Sequence, residues 1–328
     1  MLAMIGLIQN ETLKIWRKKR FFVILLLLLA LIPIFTYAEQ RVLHHNQAHF
    51  TNWRSQVLQQ ITDLENTLSS DRMPEEWKKH RKVVVQQLQY YLEHDVNPSD
   101  ISSVTFTREF LQNAMTLLIP VLVLALASDI VSGERAEGTI KLLLARPVRR
   151  WRILFSKLAA LTLYVSLIVV LTAVISYLVS GLAFGYGGWT MPVFTGFMVK
   201  GSAIDSTYAH IVPQWQYLLM QMGLTWIAAM TVAWLSLMVS VLLRSTSASI
   251  VTMTSVLIAG TLLSNMASSW HASKYLFSVN LNLAHYLNGS PPPVEGMTFL
   301  FSLAVLGIWA AASVVVSFTV FTKQDILN

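Results

Sequence analysis

The chain has 328 residues and a formal net charge of +7; 54% of its residues are hydrophobic and only 12% are charged. A soluble domain usually carries about twice that share of charge, and the mean hydropathy is +0.54, so the composition indicates a protein that crosses a membrane several times. The absence of cysteine excludes disulfides, thiolate metal sites and thiol catalysis.

Six apolar stretches are long enough to cross the hydrocarbon core, which takes about 20 residues of helix. They are too long and uninterrupted for the strands of a membrane barrel, and a helix satisfies its own backbone polar groups. The sequence therefore predicts an all-α polytopic membrane protein with six transmembrane helices. The predicted spans are residues 21–38, 110–131, 153–184, 217–243, 248–268 and 297–321.

Residues 1–20 precede the first span, are weakly amphipathic and end in a basic cluster. We interpret them as a cytoplasmic amphipathic helix that connects into the first span. The simpler function is a positive signal that fixes orientation, and the sequence favours it. The alternative is an interfacial helix that also touches a cytoplasmic partner.

Residues 39–109 form the largest polar region. Apolar residues recur at helical spacing on both sides of a break that contains Pro74. This pattern predicts an extracytoplasmic helical hairpin between the first two spans. Packing on the mouth of the bundle is favoured over pairing with a second copy or binding a partner.

The remaining loops fix the predicted orientation. The segment 132–152 is predicted to be cytoplasmic and basic, and Arg244 adds a further positive charge between the fourth and fifth spans. Because the short basic loops fall on one side, the positive-inside rule places both termini in the cytoplasm, including the tail 322–328. Residues 185–216 and 269–296 are then outer loops.

The sequence lacks the common signatures of catalysis. It contains no phosphate-binding loop GxxxxGK[ST], no HExxH and no GxSxG. The spans are almost free of ionisable groups; Asp129 is the main exception, and Lys157 is expected to snorkel to the inner interface. Ion-driven carriers usually keep carboxylates or histidines near the midplane. We therefore predict no catalytic residues and no metal site, and an energy source outside the membrane if the protein transports a solute.

All eight histidines fall in segments predicted to lie on the outer side. We expect most of them to be ordinary loop residues. A sharper hypothesis concerns His44, His45 and His49, which would respond to external pH or bind a metal ion.

The stretch from Ser132 to Lys157 carries an ordered set of glycines, acids, apolar residues and basic residues. These residues are Gly133-Glu134, Gly138-Thr139-Ile140, Leu142-Leu143-Leu144, Arg146-Pro147, Arg149 or Arg150, and Lys157. The stretch resembles the signature region of ABC-2 type permeases, the membrane subunits of a class of ABC transporters. The six-span layout, the amphipathic N-terminus and the large first outer loop fit as well, so the resemblance covers most of the chain. The chain is most similar to permeases of Firmicutes whose ATPase is a separate polypeptide.

The resemblance implies a short cytoplasmic coupling helix that docks into a groove on the ATPase. Two glycines, Gly133 and Gly138, bracket it and permit sharp turns, two acids suit its first turn and a proline ends it. The alternative is that the basic cluster is only a topology signal, and the ordered glycines, acids and proline favour docking. The implied coupling residues are Gly133, Glu134, Glu137, Gly138, Thr139, Leu143, Arg146, Pro147, Arg149 and Arg150.

The resemblance also implies an assembly of two permease subunits, identical or related, with two ATPase subunits in the bacterial plasma membrane. ATP and Mg²⁺ would bind the ATPase, so this chain needs no cofactor, and no nucleic acid is expected as a partner. The direction implied is export. The translocation path would involve the second and fifth spans, with Thr252, Ser255 and Asn265 as polar candidates, although small polar residues also serve ordinary helix packing.

Two other functions are compatible with the sequence. The protein could be a membrane sensor or scaffold whose hairpin binds a ligand and whose cytoplasmic loop signals without transport. It could instead be an enzyme acting on lipid, but no histidine lies in a predicted span or cytoplasmic loop.

Overall fold

The computed structural model describes residues 2–49, 52–69, 75–98, 100–140, 148–201, 203–266 and 270–323. Over these ranges the protein is mostly helical, with two short two-stranded sheets. The helices in chain order are α1 (Leu2–Arg17), α2 (Arg20–His49), α3 (Trp53–Leu68), α4 (Glu75–Glu93), α5 (Ser103–Ala114), α6 (Leu118–Ala127), α7 (Ser132–Ala136), α8 (Arg150–Phe184), α9 (Gln214–Leu242), α10 (Thr246–Met266), α11 (His285–Asn288) and α12 (Phe299–Lys323).

Five helices are long and apolar enough to cross a membrane: α2, α8, α9, α10 and α12. The segment that runs through α5, α6 and α7 would make a sixth if its bent parts count as one span. The described residues thus form a helical protein with about five candidate membrane-spanning helices.

The predicted second span, residues 110–131, is interrupted. The chain bends by 62° between α5 and α6, and α5 begins seven residues earlier than the prediction, at Ser103. Pro120 accounts for the break, because it has no N–H to donate and its ring would clash with the carbonyl of Thr116 in a continuous helix. In the first turn of a new helix, where N–H groups have no partner in the helix, proline is tolerated.

Helix α2 contains the predicted first span, residues 21–38, and continues beyond it to His49. The rings of His45 and His49 lie on one side of this helix, with centroids 4.2 Å apart. These two histidines are therefore helix residues that share one face.

Helix α9 is the centre of the bundle. It packs against α5, α6, α8, α10 and α12, and 67% of an apolar 18-residue segment of α9 is buried. By contrast, 22% of the corresponding segment of α10 is buried. Helix α10 therefore presents a broad apolar face to the outside of the subunit.

Four short strands lie within residues 185–216, where only a loop was predicted. Strand β1 (Pro192–Thr195) pairs antiparallel with β4 (His210–Pro213). Strand β2 (Met198–Lys200) pairs antiparallel with β3 (Ala203–Asp205). The four strands build a small platform before α9.

Helices α3 and α4, here called the helical pair, pack on each other through Val57, Ile61 and Val85. The pair also contacts the strand platform, where the backbone N–H of Ile204 donates to Gln86 Oε1 at 2.7 Å. Gln87 Nε2 donates to two carbonyls just after α11, at 2.8 and 3.0 Å. The helical pair is thus attached to the bundle through polar contacts on two sides.

Candidate functional site

Seven charged side chains converge where α1 and the start of α2 meet α7 and the first turns of α8. Three carboxylates among them are almost completely buried, and one lysine is completely buried. Such a concentration of buried charge is costly unless every charge is paired. The charge cluster consists of Glu11, Lys14, Lys18, Arg20, Asp129, Glu134 and Lys157.

Lys157 lies at the centre of the charge cluster. Its side chain is 0% exposed, and its Nζ lies 2.8 Å from Glu11 Oε2 and 2.7 Å from Glu134 Oε1. It also donates to the carbonyl of Ile130 at 3.3 Å. The expectation that Lys157 snorkels to the interface is wrong, because its amine is satisfied by two carboxylates inside the protein.

Lys14 makes a second bridge between the same two acids. Its Nζ is 2.7 Å from Glu11 Oε1 and 2.8 Å from Glu134 Oε1. Burial alone would lower the pKa of Lys14, but hydrogen bonds to both carboxylates and their negative charges outweigh burial and raise the pKa. Lys14 therefore stays protonated at neutral pH and holds α1 against α7.

Asp129 has its own pair of cations. Lys18 Nζ and an Arg20 guanidinium nitrogen each lie 3.0 Å from Asp129 Oδ2. The backbone of Gly133 lies beside the ion pair of Asp129 and Lys18. A Cβ added at Gly133 would lie 3.3 Å from both Asp129 Oδ2 and Lys18 Nζ. A sharp turn was the predicted reason for glycine at position 133; the structure shows close packing against an ion pair instead.

Helix α7 is also fastened to the end of α9. The backbone N–H groups of Val131 and Ser132 donate to Ser240 Oγ at 3.1 and 3.0 Å. Arg135 donates to the carbonyl of Val241 at 2.7 Å. Helix α7 is therefore held by α1 and α8 through charge and by α9 through hydrogen bonds.

The predicted coupling residues divide into two groups. Gly133 and Glu134 are buried within α7 and the charge cluster, whereas Glu137, Gly138 and Thr139 are exposed directly after α7. Gly138 has a φ of +71°, a conformation that favours glycine. Leu143, Arg146 and Pro147 lie outside the described residues. Arg149 is exposed before α8, and Arg150 donates to the carbonyl of Thr322 at 3.3 Å.

The predicted path residues lie on α10. Thr252 and Ser255 are exposed, whereas the side chain of Asn265 is outside the described part of the chain. Within the described ranges, no group of three or more histidine, aspartate or glutamate side chains is placed to hold a metal ion.

Sequence reasoning missed Glu11 and Lys14. Glu11 is the only acid in the first 20 residues, and it lies three positions before Lys14, the spacing of an ion pair on a helix. Ionisable residues in membrane segments usually pair with each other. That rule, applied to Lys157, would have prompted a search for its acidic partners.

Comparison with known proteins finds relatives without an assigned activity. A family described as "Protein of unknown function (DUF2705)" matches residues 77–327. The uncharacterized protein YhcI of Bacillus subtilis (strain 168) is 27% identical over 331 residues, which cover 99% of this chain and 100% of the relative. The uncharacterized membrane protein YdbK of the same organism is 29% identical over 220 residues, which cover 65% of this chain and 80% of the relative.

Proposed function

The chain belongs to the DUF2705 family, and we propose that it is the permease subunit of an ATP-driven ABC-2 type transporter, an exporter in the bacterial plasma membrane. The observation that carries the proposal is the attachment of α7. This short helix is tied to three others by buried contacts, while the three residues that follow it, 137–139, are exposed. A segment of this kind suits a docking element that must transmit force from a soluble motor.

The charge cluster gives α7 the stiffness that such coupling requires. Removing one partner of a buried ion pair typically costs about 3–5 kcal/mol. Lys157 and Lys14 both bridge from Glu134 to Glu11, so separating α7 from α1 would break two bridges at once. A displacement of α7 would therefore move α1 and α8 with it.

The orientation proposed is cytoplasmic for α1 and α7. Helix α1 exposes Ile5, Leu13 and Trp16, and apolar and tryptophan side chains suit the membrane interface. The bent segment of α5, α6 and α7 completes six spans, and the helical pair is then an extracytoplasmic hairpin. Two permease subunits, identical or related, would bind two ATPase subunits, which hold the ATP and Mg²⁺.

The test is co-expression with a bacterial ABC ATPase, followed by purification in nanodiscs. Glu137→Lys reverses an exposed charge next to α7. We expect this variant to weaken co-purification of the ATPase by about tenfold or more. The new lysine would face a basic group of the ATPase in place of the acid, and such a like-charge contact costs several kcal/mol. The matched control is Glu93→Lys, an exposed acid at the end of α4, which should leave binding intact. Equal ATPase recovery with both variants would argue against docking at this segment.

The second candidate is a sensor or scaffold, favoured by the attachment of the helical pair to the strand platform through Gln86. A transporter complex should hydrolyse Mg-ATP faster when substrate is present. A scaffold should bind its cytoplasmic partner with no stimulated hydrolysis. Stimulated hydrolysis together with export from reconstituted vesicles would exclude the scaffold.

A further inference from the structure

A cavity of about 170 Å³ lies where the end of α4, the start of α5, strand β1 and the start of α9 meet. One buried water needs about 10–15 Å³ of such space, whereas drug-sized ligands occupy pockets of about 300–1,000 Å³. The cavity therefore suits a small organic molecule. The proposed coupling to an ATPase makes no use of it.

Gln214 contributes a buried amide oxygen to the lining of this cavity. The residue is 4% exposed, lines the cavity and begins α9, where its backbone N–H donates to the carbonyl of Met191 at 3.0 Å. Its side-chain Oε1 has no hydrogen-bond partner among the described residues. Buried amides are almost always hydrogen-bonded, so the oxygen indicates that a donor group belongs in the cavity.

Arg108 supplies a fixed cation from α5. Its side chain is 16% exposed, and its guanidinium carbon lies 5.4 Å from the centroid of the Tyr217 ring. Gln221 donates to the Arg108 carbonyl at 2.7 Å and so holds this turn of α5 against α9.

One Arg108 nitrogen reaches the half-exposed carboxylate of Glu109 at 3.1 Å. A guanidinium has five N–H donors, and in the described part of the chain no further acceptor for them is found. The spare donors of a fixed guanidinium match a planar carboxylate, which binds in a bidentate fashion.

An acid and an apolar wall complete the lining. Asp100 is exposed and lines the cavity, so its carboxylate lies at the mouth. Met191 and Val193 provide apolar surface. An arginine and an aspartate in the lining, with an amide oxygen that has no partner among the described residues, together complement a molecule that carries both a carboxylate and an ammonium group.

We propose that this cavity binds a small zwitterion, a free α-amino acid. Its carboxylate pairs with Arg108, and its ammonium group donates to Gln214 Oε1 and faces Asp100. The lining residues come from four elements, so the bound ligand fastens the helical pair to α5 and α9. The proposal goes beyond transport, since it gives the outer side of the bundle a ligand site of its own.

The experiment uses the full chain in nanodiscs without an ATPase. Each common amino acid is tested by thermal stabilisation and calorimetry, with acetate and methylamine as probes that carry one charge each. We expect a subset of amino acids to bind better than either probe. Arg108→Gln and Gln214→Leu should weaken that binding by about tenfold or more. Arg41→Gln, an exposed arginine on α2, is the control and should bind as the parent does.

Failure of all amino acids to bind would overturn the proposal. Acetate binding as tightly as every amino acid would overturn the zwitterion assignment. Asp100→Asn, a change at an exposed position, guards against variants that do not fold: it should weaken amino-acid binding and leave acetate binding unchanged. Because no ATPase is present, failure here leaves the permease proposal standing, and loss of ATPase coupling leaves this site standing.

Discussion

At the scale of single residues, the buried amine of Lys157 constrains how α1, α7 and α8 pack together. This amine has no contact with solvent and pairs with two carboxylates, Glu11 and Glu134, whose second positive charge comes from Lys14. One oxygen of Glu134 has no hydrogen-bond partner among the described residues, so this acid depends on its two lysines. Losing one member of such a group leaves uncompensated charge inside the protein, which is far more costly than losing a surface pair.

Lys157→Met should therefore destabilise the protein strongly, by about 3–5 kcal/mol. The measurement is thermal unfolding in detergent, with Lys323→Met, an exposed lysine at the end of α12, as the control. Adding Glu11→Gln to Lys157→Met should restore part of the loss, because the two residues are in direct contact and their effects are not additive. Parent-like melting of Lys157→Met would show that its amine is not needed for neutralisation.

The lowered pKa of the buried His285 imidazole predicts that the protein loses stability in acid. Burial and the nearby charge of His80 lower its pKa to about 4, and its Nε2 lies 2.9 Å from Asn282 Nδ2. The unfolded chain takes up the proton near pH 6.5. The contribution of neutral His285 to the free energy of unfolding is therefore fully present above about pH 6.5. It is lost as the pH falls towards 4, with a loss of about 2 kcal/mol at pH 5.

Thermal unfolding between pH 7.5 and 5 tests this dependence. His285→Asn should flatten the acid loss, whereas His271→Asn, at an exposed position, should retain it. The same acid loss in all three proteins would place its origin in other groups.

At the scale of elements, sequence periodicity located most helices and failed where the chain is locally irregular. The helices of the bundle are long apolar runs, so their existence follows from hydropathy alone. The break at Pro120 was missed because an apolar window averages over a single proline. The four strands are three or four residues each, too short for an alternating pattern to be recognised.

The candidate site was predictable only in part. Gly133 and Glu134 were singled out from their resemblance to a family motif, but the partners of Glu134 lie in α1 and α8. Lys14 is 120 positions from Glu134. No local pattern reports a contact over that distance, since it depends on how three helices pack.

The attachment of the helical pair predicts a local effect of Gln87→Ala. The variant loses both hydrogen bonds to the carbonyls of Asn288 and Gly289, each contributing about 1 kcal/mol. Hydrogen exchange should become faster in α11 and α4, with the membrane helices unchanged. Gln59→Ala, which removes only a contact with Asp63 within α3, is the matched control. Unaltered exchange in α11 would contradict a docking role for Gln87.

At the scale of the whole molecule, one face of α10 is not covered by other helices of the bundle. Its exposed apolar side chains include Val251, Val256, Ile258 and Leu262. A face of this kind suits either lipid or a second subunit. The proposed permease dimer requires the second arrangement for at least part of the helix.

Cysteine cross-linking distinguishes the two arrangements, because the natural chain has no cysteine. Thr252→Cys places a single thiol on the exposed face of α10 and should give a covalent dimer in native membranes after mild oxidation. Ser249→Cys, at a completely buried position of the same helix, should stay monomeric. Absence of dimer from Thr252→Cys and from Ser255→Cys would indicate that lipid covers this face.

The bridge between Glu11 and Lys157 also sets an order of events during synthesis. The two residues are 146 positions apart, and a ribosome adds about 5–20 residues each second. Roughly 7–30 s therefore pass between the synthesis of Glu11 and that of Lys157. Lys14 is already beside Glu11 within α1 and can neutralise it during that delay. The contact of α1 with α8 therefore forms late, and a chain stopped before α8 would hold α1 only through the pairs that Lys14 and Lys18 make with Glu134 and Asp129.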